Sequence, residues 1–222
     1  MPTLPMRRNR YLVIPALILI SLATLVLQGC PAAIGLGGMA AVSTLEDRRS
    51  TGTQFDDGAI ESRAKSQFAS QIGERGHINV TAFNRSALLT GEAWDEKTKA
   101  EAGTIVADLP MVRGVTNEIQ IAGISSSTSR ANDTALTAKV KGRFMNVEGL
   151  SSVHVKVVTE AGVVYLLGLV TEAEAEKATE LARTTSGVRK VVKMFEYCKP
   201  TDTLCAPSTP SKPAEQRPRS SP

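Results

Sequence analysis

One pattern is written twice in this chain, at a spacing of roughly 76 residues. The first copy opens Asp56-Asp57-Gly58-Ala59-Ile60 and the second Asn132-Asp133-Thr134-Ala135-Leu136. Ile60, Ala64 and Phe68 in one copy answer Leu136, Val140 and Phe144 in the other, each at i, i+4, i+8. That spacing draws one apolar stripe down one helix per copy. Asp57 and Asp133 read as the N-caps of these helices.

Alternating segments follow. His77 to Phe83 turns at Asn84-Arg85 into Ser86 to Gly91; Val153 to Val158 turns at Glu160-Ala161-Gly162 into Val163 to Gly168. Both read as β-hairpins. Gly91 and Gly168 close the second strands, where a missing Cβ suits a bulge or a close backbone approach. Second helices come next: Asp95 caps Glu96 to Asp108, and Thr171-Glu172-Ala173-Glu174 forms a capping box for the helix to Thr185. A last strand ends each copy, with Gly114-Val115 to Ile119 aligned on Gly187-Val188 to Val192. The expected fold is α+β: two tandem αββαβ sandwiches, each with two helices on a three-stranded mixed sheet. A core of this size is marginal alone, so the copies are expected to pack together. Trp94, the only tryptophan, is expected at the seam between them.

The segment ahead of the repeat constrains location. Arg7, Arg8 and Arg10 precede an apolar run from Tyr11 to Leu27, which ends in Leu27-Gln28-Gly29-Cys30. A basic start, an apolar middle and small residues at the cut describe a secretory leader. A cysteine directly after Leu-x-Gly resembles the bacterial lipobox, where the thiol takes a diacylglycerol and the leader is removed. The alternative is a retained membrane helix, since the run approaches the roughly 17 to 25 residues a span requires. The expected organisation is a leader over 1–29, a lipidated linker over 30–51, modules over 52–122 and 132–197, a polar linker over 123–131, and a Pro/Ser-rich disordered tail over 198–222.

Charge and cysteine count narrow the function classes. The net charge of +4 falls to +1 without the leader arginines, so no nucleic-acid partner is indicated. Cys198 and Cys205 enclose six residues, and an oxidising compartment favours a disulfide between them. The rival reading, a metal site, lacks a second ligand pair at the right spacing. No nucleophile–base signature and no phosphate loop appears, so no catalytic residue, cofactor, metal or small-molecule substrate is expected. His77 and His154 read as solvent-exposed strand residues, Asp56-Asp57 as a helix cap, and Glu172, Glu174, Glu176 and Glu180 as a solvated face with dipole help at the helix start.

These features resemble the BON domain. The matching stretches are Arg49 to Gly58, Ile78 to Ala82, Asn132-Asp133-Thr134 and Gly168 to Glu172. Two copies behind a lipobox are similar to the dual-BON outer-membrane lipoproteins of Gram-negative bacteria. The resemblance implies a non-enzymatic, lipid-anchored protein on the periplasmic side of the outer membrane. It also implies a role in envelope integrity, anionic phospholipid bound through the second BON domain and, in some members, concentration at the division site. In that family an aromatic often follows Asn-Asp-Thr; here the place holds Ala135.

The residues themselves distinguish the copies. Asp56 to Ile121 carries −3 and Asn132 to Glu196 carries +1. Glu61 stands beside Arg63 and Lys65, whereas Lys139, Lys141 and Arg143 meet no acid between Asp133 and Glu148. At 100° per residue, Ala135, Ala138, Gly142 and Met145 group opposite the stripe of Leu136, Val140, Phe144 and Val147. Lys139 and Arg143 border one edge of that group and Lys141 the other. A small apolar strip between cations suits anionic headgroups, which makes these seven residues, with Cys30 as the anchor, the candidate membrane contacts. An alternative from another class is an adaptor that docks an envelope assembly machine or a septal peptidoglycan enzyme.

Overall fold

The structure, a computed structural model, describes residues 47–145, 147–199, 201–202 and 205. The leader, Cys30 and the tail beyond Cys205 lie outside the described residues. The first copy runs α1 (Thr51–Gln67), β1 (Gly76–Phe83), β2 (Ser86–Ala93), α2 (Glu96–Ala107), β3 (Gly114–Asn117) and β4 (Gln120–Ile121). The second runs α3 (Ser127–Phe144), β5 (Val155–Glu160), β6 (Val163–Val170), α4 (Glu172–Arg183) and β7 (Lys190–Tyr197). In each copy the hairpin strands pair antiparallel and the last strand joins the second one parallel. The α+β architecture with mixed sheets is therefore the observed one, with β4 prolonging the first copy's sheet along β2. Ile60, Ala64 and Phe68 are buried under one sheet, and Leu136, Val140 and Phe144 are buried in the second copy. α4 takes its capping box from Thr171 and Glu174.

The helix caps differ from the sequence reading. α1 starts at Thr51 and α3 at Ser127, capped by Ser50 and Ser126, whose hydroxyls accept the Thr53 and Ser129 amides. The reading missed these first turns because residues 51–55 and 127–131 carry no apolar period. The polar linker is correspondingly shorter than 123–131. Asp57 and Asp133 sit inside the helices and are buried. Asp57 accepts the Asn84 and Arg85 amides at 2.9 and 2.6 Å. Asp133 accepts those of Ala161 and Gly162, both at 2.9 Å. Each aspartate thus latches the tip of its own hairpin. The tips need a latch, because Asn84 (φ 50°), Arg85 (φ 65°) and Ala161 (φ 47°) all occupy the left-handed region that non-glycine residues enter at a cost.

Two further alignments change. Gly114 lies opposite Ser86 and Lys190 opposite Val163, so Lys190, not Gly187, is the counterpart of Gly114. Gly187 (φ 102°) instead matches Met111 (φ 72°). Both are the third residue of the same turn, closed by the Val112 amide on the Leu109 carbonyl and by the Val188 amide on the Thr185 carbonyl. A Gly-Val pair stands near each third strand, and only the hydrogen-bond register shows that the two pairs are not equivalent.

The sheet faces turned away from the helices meet each other. Phe83 and Leu88 of the first copy pack with Tyr165 and Leu167 of the second, supported by Val158, Val163, Leu169, Val192 and Met194. Polar contacts ring this seam. Asn79 donates to buried Glu160 at 3.1 Å and Asn84 to Glu196 at 2.7 Å. Lys156 reaches Glu61 at 2.9 Å and the Ala82 carbonyl at 3.2 Å. Glu61 therefore serves the seam and does not neutralise Arg63 or Lys65. Burial pushes the Glu160 carboxyl above its ordinary value. Trp94 takes no part in the seam and is 67% exposed, because it stands one residue past the end of β2.

Part of the expected linker is also structured. Asp47 to Ser50 cross both copies as a strap. Arg49 donates to Asp57 at 2.8 Å and lies 4.2 Å from the centre of the Phe83 ring. Arg48 forms a paired contact with Glu174 of the second copy, at 2.7 and 3.1 Å, and donates to the Leu169 carbonyl. Glu174 is consequently buried and not part of a solvated face. Its burial alone would raise the carboxyl pKa. Hydrogen bonds from Arg48, from the Thr171 amide and hydroxyl, and from His154 outweigh that effect and lower it from 4.5 to about 2. A depressed carboxyl stabilises the fold above its unfolded value, and that contribution is lost as pH falls through the folded one. The stability gap between the native protein and Glu174→Gln should therefore be full above pH 5 and close as pH falls from 4.5 to about 2. Urea titrations across that range measure it; a pH-independent gap would remove the strap's electrostatic role.

Candidate membrane-facing surface

α3 supplies the surface that charge patterning singled out. Its buried stripe of Leu136, Val140 and Phe144 turns Ala135, Ala138, Lys139, Lys141 and Gly142 outward, all of them exposed. Met145, at the helix end, is 73% exposed. A methionine that open is an unbranched, adaptable apolar group standing beside Lys141 and Gly142. Neither Lys139 nor Lys141 makes an ion pair among the described residues. A Cβ at Gly142 would meet nothing within 4 Å, so the strip between the cations is open in outline.

Arg143 is separated from this group by its partners. Its Nη1 donates to the Leu181 carbonyl at 2.7 Å and to the Thr184 and Thr185 hydroxyls at 3.0 and 2.9 Å. It therefore binds the C-terminal end of α4, where a cation completes orphan carbonyls and meets the negative end of the helix dipole. Sequence spacing placed Arg143 beside Lys139; only the packing of α3 against α4 reveals that its guanidinium is taken.

The first copy lacks this combination. Arg63 and Lys65 are exposed at the positions of Lys139 and Lys141, but Ser62, Ser66 and Ala69 replace Ala138, Gly142 and Met145. The cations there frame a polar strip. The histidines also differ from their expected exposure. His77 is half-buried with Nδ1 3.6 Å from Glu92, and His154 lies 3.3 Å from Glu174. Both stand at the open end of a first hairpin strand, where the partner strand or α4 brings a buried carboxylate across. Cys198 and Cys205 are joined, with Cα atoms 6.1 Å apart, directly after β7. Among the described residues no helix is long and apolar enough to cross a membrane.

Comparison with known proteins agrees with this architecture. The BON domain family model matches residues 56–123 and again 132–199. The chain is 36% identical over 177 residues to the outer membrane lipoprotein DolP of Haemophilus influenzae, covering 79% of this chain and 92% of that one. It is 33% identical to the 21 kDa hemolysin of Actinobacillus pleuropneumoniae, covering 68% and 79%. It is 26% identical to the osmotically-inducible protein Y of Escherichia coli, covering 63% and 72%. The duplicated helix–hairpin–helix–strand unit and these similarities together place the chain in the BON-domain family, among the dual-BON lipoproteins of the outer membrane.

Proposed function

We propose that this protein is anchored through lipid on Cys30 after removal of residues 1–29, and that its second BON domain reads anionic phospholipid. In this reading it is not an enzyme and supports outer-membrane integrity, including at the division site. The observation that carries it is the outer face of α3, where Lys139 and Lys141 flank Ala135, Ala138, Gly142 and exposed Met145. Each cation near an anionic bilayer contributes on the order of 1 kcal/mol, and an inserting methionine adds apolar burial. The anchor makes such weak recognition sufficient. Residues 31–46 extend at most about 60 Å, so the modules face the bilayer at high effective concentration. Arg143 contributes by fixing α3 on α4 and not by touching headgroups.

Vesicle flotation of residues 43–222, without acyl chains, tests the reading. Binding should rise with the phosphatidylglycerol fraction and fall with salt. Lys139→Glu with Lys141→Glu should weaken it at least about tenfold, and Met145→Ser should weaken it less. Binding that ignores lipid charge, or survives the double reversal, would defeat the assignment.

A further inference from the structure

An edge strand leaves half its backbone groups without a partner strand, and proteins usually blunt such edges. The two copies treat the edge made by their last strands differently. In the first, β3 stops after four residues and β4 spans two. Asn117 breaks the ladder there: its amide donates to the Lys99 carbonyl at 2.8 Å, and its oxygen accepts the Ile119 amide at 3.3 Å. In the second, β7 runs unbroken for eight residues, every one in register with β6. Its other side pairs with no strand among the described residues. The Cys198 amide donates to the Val170 carbonyl at 3.0 Å. Counting back by twos, Tyr197, Phe195 and Lys193 turn their N–H and C=O groups to the open side. No side chain among the described residues bonds those groups.

The charge along this strand is mainly positive. Lys190, Lys193 and Lys199 are exposed; Arg189 is turned to the hairpin tip, donating to the Ala161 carbonyl at 3.2 Å, and Asp202 accepts the Lys199 amide at 2.8 Å. The strand's one acid, Glu196, is turned to Asn84 at 2.7 Å and lies 3.7 Å from Arg113. We propose that the open edge of β7 docks an extended, acidic peptide segment of a partner protein by strand addition. Main-chain hydrogen bonds would supply affinity and the lysines selectivity. A second copy of this chain is the competing occupant, and self-association through β7 is one of the outcomes that the test separates. If the lysines only ward off pairing, the edge will accept peptides of neither charge.

The test uses the mature protein in neutral detergent micelles and a fluorescein-labelled nine-residue peptide alternating Glu with Val or Thr. Saturable anisotropy and slowed hydrogen exchange over residues 190–197 are expected. Lys193→Pro removes one outward N–H while leaving the β6 ladder intact; it should weaken binding at least about tenfold with unchanged thermal unfolding. Lys190→Glu with Lys193→Glu should transfer preference to a peptide with Lys in place of Glu, and this pair decides the matter should the proline variant unfold. The proposal is overturned by no saturable binding in the native protein, by equal binding of both peptides, by exchange protection confined to α3, or by concentration-dependent self-association through β7.

Discussion

Asp57→Ala should lower the stability of the first BON domain by about 3–5 kcal/mol, the range for breaking a buried ion pair from one side. Three donors converge on that carboxylate: the amides of Asn84 and Arg85, and the Arg49 guanidinium. Alanine leaves both amides without that acceptor and Arg49 with Asp47 alone, at 2.6 Å, and it releases two left-handed residues at the hairpin tip from their restraint. Asp133→Ala removes the same latch in the second domain, where the donors among the described residues are the Ala161 and Gly162 amides. Its expected loss is smaller, about 2–3 kcal/mol, and half of that tip is already glycine. Urea denaturation of the two variants measures the difference. A loss below about 1 kcal/mol for Asp57→Ala would show that the hairpin holds its own shape. A larger loss for Asp133→Ala would show that the strap adds nothing to the first latch.

Gly91→Ala should be the most damaging single methyl in the molecule. A Cβ there would stand 2.0 Å from the His77 carbonyl oxygen, a backbone atom that cannot swing aside, and φ is +104° besides. Relief requires β1 and β2 to separate where they are in register, so the variant is expected to lose at least about 4 kcal/mol and much of its soluble yield. Gly168→Ala repeats the clash at 2.4 Å from the His154 carbonyl, without the positive φ. His154 also precedes the first residue of β5 and can give way more easily. Thermal unfolding should therefore rank Gly91→Ala well below Gly168→Ala. Equal and mild losses would mean that the strands tolerate a bulge at this point.

Both predictions rest on positions that the sequence singles out, but only for the glycines does it also show the role. The two glycines were legible as close approaches because they recur at matched points of a repeat. The aspartates were legible as repeated features, yet were taken for caps: an aspartate ahead of an apolar stripe reads the same whether it starts a helix or lies inside one. The face of α3 was legible for a different reason. Helical periodicity alone sorts Ala135, Lys139, Lys141 and Met145 from Leu136, Val140 and Phe144. Arg143 could not be sorted that way, since its partners at Leu181, Thr184 and Thr185 arrive from another helix. The Asp47 to Ser50 strap was likewise invisible, because neither arginine has an apolar or periodic signature. Each contact depends on where a distant carboxylate falls.

Local pattern thus determined the elements of this protein: its duplicated unit, its alternating strands, its buried stripes and the contrast in charge between the copies. Periodicity and turn chemistry act between near neighbours, so they are complete in the chain itself. The partners of Asp57, Arg48, Glu61 and Arg143, and which strand edge stays open, were decided only by the tertiary structure. Those outcomes follow from the stacking of two sheets and the register of a parallel strand, which bring together groups as many as 126 residues apart.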